Sequence, residues 1–168
     1  MKVSSAAMAA LTGILAATSV NLVSHLVKEY IPRAKKSLPK RKKKIRHRNN
    51  ILSPATNAKP LAPSATASST KNAEISRSRE QQISVFFLCA AVLASPYDTP
   101  EYIPLAISAL SKHSFESYAP LAIRDAVKKC CSEYKRTHVD NWDLHRMKFD
   151  TEQWEALNDV ISTPHYYA

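Results

Sequence analysis

The chain has 168 residues, with one glycine against ten prolines and a formal net charge of +10. So little glycine argues against a sheet protein full of tight turns and against any glycine-rich phosphate loop; the composition points to an all-α protein punctuated by prolines. The ten Lys and Arg between Arg33 and Arg48, with no acid among them, equal the whole net charge, so the remainder is neutral and a general nucleic-acid coat is excluded.

Lys2, the apolar stretch Ala6 to Ala17 and the small pair Thr18-Ser19 have the outline of a signal peptide. The stretch is dominated by alanine, however, and Val20, Leu22, Val23, Leu26 and Val27 carry the apolar pattern past it, so 3–31 is read as one long helix or two short ones. Met8, Leu11, Ile14 and Leu15 share a face, Gly13 and Asn21 are the weak points, and Pro32 is expected to end the segment. Nothing has the ~20 strongly apolar residues of a membrane span. Residues 32–80 combine the basic run with Ser, Ala, Thr, Asn, Pro54, Pro60 and Pro63; they offer too little apolar surface to offset their ordering entropy and are expected to form a disordered loop.

Order is expected to resume at Gln81, where Ile83, Val85, Phe86, Phe87, Leu88, Val92 and Leu93 make a helix apolar on most sides, as one inside a stack should be. Thr99 is the expected N-cap of the next helix, with Pro100 at its first position and Ile103, Ile107 and Leu110 facing inward. A further helix starts near Pro120, with Ile123, Val127, Cys130 and Tyr134 inward and Arg124, Lys128, Lys129 and Lys135 outward. After a turn around Asp140, Asp150 or Thr151 caps a last helix whose inner stripe is Trp154, Leu157, Val160 and Ile161. Pro164 ends it, dividing 81–162 from a tail at 163–168. Short helices, each buried on one side and joined by proline-containing turns, match a HEAT-like helical-repeat solenoid segment, although no crisp repeat period is visible.

The search for chemistry is mostly negative. Three cysteines, two of them adjacent at Cys130-Cys131, do not make a disulfide framework and fit a reducing compartment. The same pair with His138 and His145 lacks the spacer that tetrahedral zinc ligation requires, so core packing is the better reading of Cys130 and no metal or cofactor is expected. Asp140, Asp143 and Asp150 around His145 could be drawn as an acid/base set, but this spacing at a turn describes a solvated face. Lys40, Arg41, Lys42, Lys43, Lys44, Arg46 and Arg48 suit the acidic groove of a nuclear import receptor better than DNA readout, because no aromatics interleave them and no helix aims them. His165-Tyr166-Tyr167-Ala168 is a short arm beyond Pro164; its carboxylate could be captured by a cation or by backbone amides.

Several motifs resemble one family, the large single-chain HEAT-repeat proteasome activators that cap the core particle without ATP. They are Ala94-Ser95-Pro96-Tyr97-Asp98 with Pro100, Tyr134-Lys135-Arg136-Thr137-His138-Val139-Asp140-Asn141-Trp142, Phe149-Asp150-Thr151-Glu152-Gln153, and the terminal Tyr166-Tyr167-Ala168, in the family's order. The resemblance implies a non-enzymatic activator whose last residues, in a hydrophobic-tyrosine-any pattern, dock between subunits of the core particle's α-ring and promote gate opening. Tyr166 is then the hydrophobic member, Tyr167 the penultimate tyrosine, and Ala168 the residue whose carboxylate meets a pocket lysine. It also implies a place in nucleus and cytoplasm, and a link to acetylated histones through a bromodomain-like region. Where the family has Asn-Phe after its first helix this sequence has Thr18-Ser19, and no residue is assigned to acetyl-lysine. Family members are many times longer. Two alternatives stand beside this reading: a basic nuclear module binding nucleic acid or an import receptor through 33–48, and a secreted helical protein cleaved near Ala17.

Overall fold

The computed structural model describes residues 2–39 and 66–162. Among them the structure is all-α, without strands: α1 (Lys2–Ala16), α2 (Val20–Ser37), α3 (Thr66–Leu93), α4 (Tyr102–Ser111), α5 (Leu121–Thr137), α6 (Trp142–Arg146) and α7 (Thr151–Ser162), with single 3-10 turns after α4 and α5. The C-terminal half of α3 is the centre. Val85, Leu88, Cys89, Ala90, Ala91 and Val92 are all buried, because α1, α2, α4 and α5 each pack on this one helix. A helix apolar on most sides needs such a cage. The inward stripes on α4 (Ile103, Ile107, Leu110) and α5 (Ile123, Val127, Cys130, Tyr134) are buried as their spacing predicts. The last helix, α7, lies against α4 and α5, with Leu157 and Val160 buried and Trp154 and Ile161 half-buried.

Three expectations for the first three helices fail, each for a physical reason. The break near the N-terminus falls at Ala17 to Ser19, not at Gly13 or Asn21; Thr18 turns its hydroxyl back to the Ile14 carbonyl (2.8 Å), and Ser19 opens α2. In consequence Ile14 is 64% exposed while Leu15 is buried. Nor does Pro32 end the second helix, which continues to Ser37. The proline ring faces solvent, and the next turn is held by Ala34 and Ser37, both buried, with the Ser37 hydroxyl donating to the Ala34 carbonyl at 2.7 Å. Third, α3 starts at Thr66 rather than Gln81, although residues 72–79 are exposed. Extending an existing helix costs far less than nucleating one, so a buried C-terminal half can carry an exposed N-terminal half that has an ion pair, Arg77 to Glu74, but no core. Both ends of the expected loop 32–80 are therefore helical, and its middle, 40–65, lies outside the described residues.

Candidate functional site

The arm Tyr166, Tyr167 and Ala168 lies outside the described residues, as does the basic cluster Lys40, Arg41, Lys42, Lys43, Lys44, Arg46 and Arg48. Each is approached by a described helix. On the basic side, Arg33, Lys35 and Lys36 are exposed on the last turns of α2. Arg33 pairs with Glu29 and lies 4.9 Å from the centre of the Tyr30 ring, which in turn stacks on Phe87 at 4.1 Å. On the other side, the arm follows α7.

What mounts α7 is a junction built from the motifs named above. At the loop between α3 and α4, Asp98 accepts from the Thr99 amide (2.7 Å) and from Lys148 Nζ (3.0 Å), which also donates to the Thr99 carbonyl (3.0 Å). Chiefly through that Lys148 hydrogen bond, the Asp98 carboxyl is held below the usual carboxylate range. Thr99 itself is buried and does not cap α4. Its Oγ1 sits 2.8 Å from both the Tyr134 hydroxyl on α5 and His145 Nδ1 on α6. Burial pushes the Tyr134 phenol up to about 12, so it keeps its proton and can donate to Thr99. Burial, then the neighbouring His138 and Lys148, lower the His145 pKa, which leaves Nδ1 free to accept from Thr99. Tyr134 to Thr99 to His145 is thus one directed chain of hydrogen bonds joining three segments far apart in sequence.

Around this chain stands an aromatic wall. Trp142 and Trp154 rings are 5.2 Å apart, Phe149 and Trp154 5.9 Å, and Tyr134 lies 6.2 Å from both Trp142 and Phe149. Arg146 covers the Trp154 face at 5.2 Å. At the start of α7, the Gln153 amide donates to Asp150 Oδ1 (2.7 Å) and Gln153 Oε1 accepts from the Asp150 amide (3.1 Å), a reciprocal cap that settles the choice between Asp150 and Thr151.

The other residues considered for chemistry are placed separately. The Cys130 thiol contacts the Cys89 carbonyl at 3.6 Å and is pushed up by its hydrogen bond with Cys89 and by burial. Cys131 is pushed up by burial, so both thiols stay protonated in the core. His145 is engaged with Thr99 rather than with Asp140, Asp143 or Asp150. Among the described residues no group of three His, Cys, Asp or Glu is arranged to hold a metal ion, and no helix is long and apolar enough to cross a membrane. Two contributors to the junction gave no prior signal. Lys148 is one cation among many, and Thr99 carries every local mark of an N-cap; only the partners 35 and 46 residues away reveal the hydroxyl's task.

The family match covers the half of the chain that holds this junction. Residues 78–168 match the family described as proteasome activator complex subunit 4-like, C-terminal. Over 84 residues the chain is 40% identical to proteasome activator complex subunit 4A of Danio rerio, 42% to proteasome activator complex subunit 4 of Homo sapiens and 36% to proteasome activator subunit 4 of Arabidopsis thaliana. In each case the aligned segment is 50% of this chain and 4% of the relative.

Proposed function

This chain belongs to the proteasome activator complex subunit 4-like family, and from that premise we propose that it acts on the proteasome core particle through its C-terminal arm. In this reading Tyr166 and Tyr167 enter a pocket between subunits of the α-ring, the Ala168 carboxylate pairs with a pocket lysine, and the gate opens without ATP. The chain itself is no enzyme; any peptide hydrolysis belongs to the core particle. Nucleus and cytoplasm are its places of action.

The observation that carries this reading is the rigid mounting of α7. A buried polar chain, an aromatic wall and a reciprocal cap hold α7, the helix that precedes the arm in sequence and whose last described residue is Ser162. Pre-organising the base of a docking peptide lowers the entropy lost on binding. A single charge-assisted pair with a tyrosine hydrogen bond is still a weak ligand, so the isolated chain should need high concentration.

The test is fluorogenic-peptide hydrolysis by a closed-gate core particle, with wild-type chain, Tyr167→Ala, and a chain lacking Ala168. Stimulation by wild type that both variants lose supports docking by the arm. Equal stimulation by all three rules the arm out.

A second reading draws on a different observation. A cleft between α2 and α3 is lined by Arg33, Lys36 and Arg77 with Glu80 among them, so cations also stand on the described surface that precedes the run Lys40–Arg48 in sequence. The chain would then engage an import receptor or nucleic acid through 33–48. A nucleic-acid complex that weakens steeply with salt would favour this reading.

A further inference from the structure

Four residues in the exposed half of α3, Ala73, Ser76, Arg77 and Glu80, stand at i, i+3, i+4 and i+7 and so share one helix face. That face meets Arg33 and Lys36 on the last turns of α2 across an open cleft of about 600 Å³. Three cations line the cleft against the single carboxylate of Glu80. Glu29 and Glu74 reach two of them from outside it, Glu29 pairing with Arg33 and Glu74 with Arg77 at 3.7 Å, while Lys36 makes no ion pair among the described residues. Exposed pairs of this kind contribute little, so the cations are open to a stronger anion.

Two hydroxyls also line the cleft. Ser37 is buried and donates to the Ala34 carbonyl at 2.7 Å. Ser76 is exposed, on a stretch of α3 with no core beneath it, so local opening costs little and an enzyme can reach its oxygen. A phosphate monoester there would bring a charge of about −1.5 to −2 and three acceptor oxygens into the midst of the cations.

We propose that Ser76 is a phosphorylation site and that this cleft holds the product. A serine kinase transfers the γ-phosphoryl group of ATP to Ser76 Oγ, releasing ADP and the hydroxyl proton, and Arg33, Lys36 and Arg77 then grip the phosphate. Glu80, one turn further along α3, opposes it, so capture depends on the two cations that α2 supplies. The phosphate fastens the exposed half of α3 to the end of α2. Ser78 makes the contrast: it is as exposed and lies between Arg77 and Arg79, but it does not line the cleft and has no second helix to bind. This inference rests on neither of the two functional readings above.

The experiment uses the full chain with phosphoserine incorporated at Ser76, at Ser78 or at neither position. Phosphorus NMR follows the second ionisation of each phosphate, about 6 when free, and amide exchange follows 73–80. At Ser76 the ionisation should fall clearly below that value, because the cations favour the dianion, and exchange over 73–80 should slow several-fold. At Ser78 the fall should be smaller and the exchange unchanged. Arg33→Gln combined with Lys36→Gln should return the Ser76 phosphate to the Ser78 behaviour; should the double variant fail to fold, Lys36→Gln alone should move it part of the way. Identical behaviour of the two phosphates overturns the capture, as does indifference to the α2 cations. Phosphopeptide mapping of the chain, recovered under phosphatase inhibition from cells that make it, should find phosphate on Ser76, and a chain carrying none there overturns the site.

Discussion

His113, in the turn after α4, is completely buried, and its Nδ1 lies 3.0 Å from Gln81 Nε2, which also donates to the Tyr118 carbonyl at 2.8 Å. An amide nitrogen donates, so Nδ1 accepts and the ring is neutral in the folded chain. Burial lowers its pKa from 6.5 to about 4, against a smaller opposing pull from the Ala34 carbonyl. In the unfolded chain the ring returns to its ordinary value and binds a proton that the folded chain refuses. Stability from this residue is therefore fully present above pH 6.5 and is lost as the pH falls toward 4. At about 1.4 kcal/mol for each pH unit, that interval amounts to about 3 kcal/mol, a large share of the stability of a domain this size. The lowered His145 contributes in the same direction. Urea unfolding followed by circular dichroism at a series of pH values, in wild type and in His113→Gln, measures the effect. The variant is less stable at neutral pH, but its stability should fall more gently with acid, because it has no imidazole to charge. Parallel curves for the two proteins refute the reasoning, as does an NMR titration that places His113 near its ordinary pKa.

Two further outcomes follow from the junction. Thr99→Val keeps the shape of the side chain but leaves the Tyr134 hydroxyl and His145 Nδ1 without their shared partner; it should cost about 1–3 kcal/mol in urea unfolding, and a cost near zero would mean that water replaces the hydroxyl. Trp154→Ala removes the ring that Trp142, Phe149 and Arg146 all pack against; a loss of about 3 kcal/mol in thermal or urea unfolding is expected, toward the low end for tryptophan because the ring is only half-buried.

Which parts of this molecule were legible in the sequence depends on the distance between partners. The stripes Ile123-Val127-Cys130-Tyr134 and Leu157-Val160 were readable because burial on a helix is set by a register of three and four residues, all of it inside one segment. The all-α class followed from the same periodicity and the scarcity of glycine. The family resemblance was likewise a matter of contiguous motifs, and the reading of Tyr166-Tyr167-Ala168 as a docking arm rests on the same kind of motif, in residues outside the described ones. Tertiary packing decided the rest. Pro32 reads as a stop until Ala34 and Ser37 are seen buried beyond it, and 66–80 reads as loop until α3 is seen to extend from a caged half. Thr99 reads as a cap until Tyr134 and His145 arrive from 35 and 46 residues away, and His138 can be drawn only beside Cys130-Cys131 until the Asp98 carbonyl, 40 residues off, meets its second nitrogen. Periodicity is local and survives in one dimension; a hydrogen bond between segments exists only after the chain has closed the loops between them.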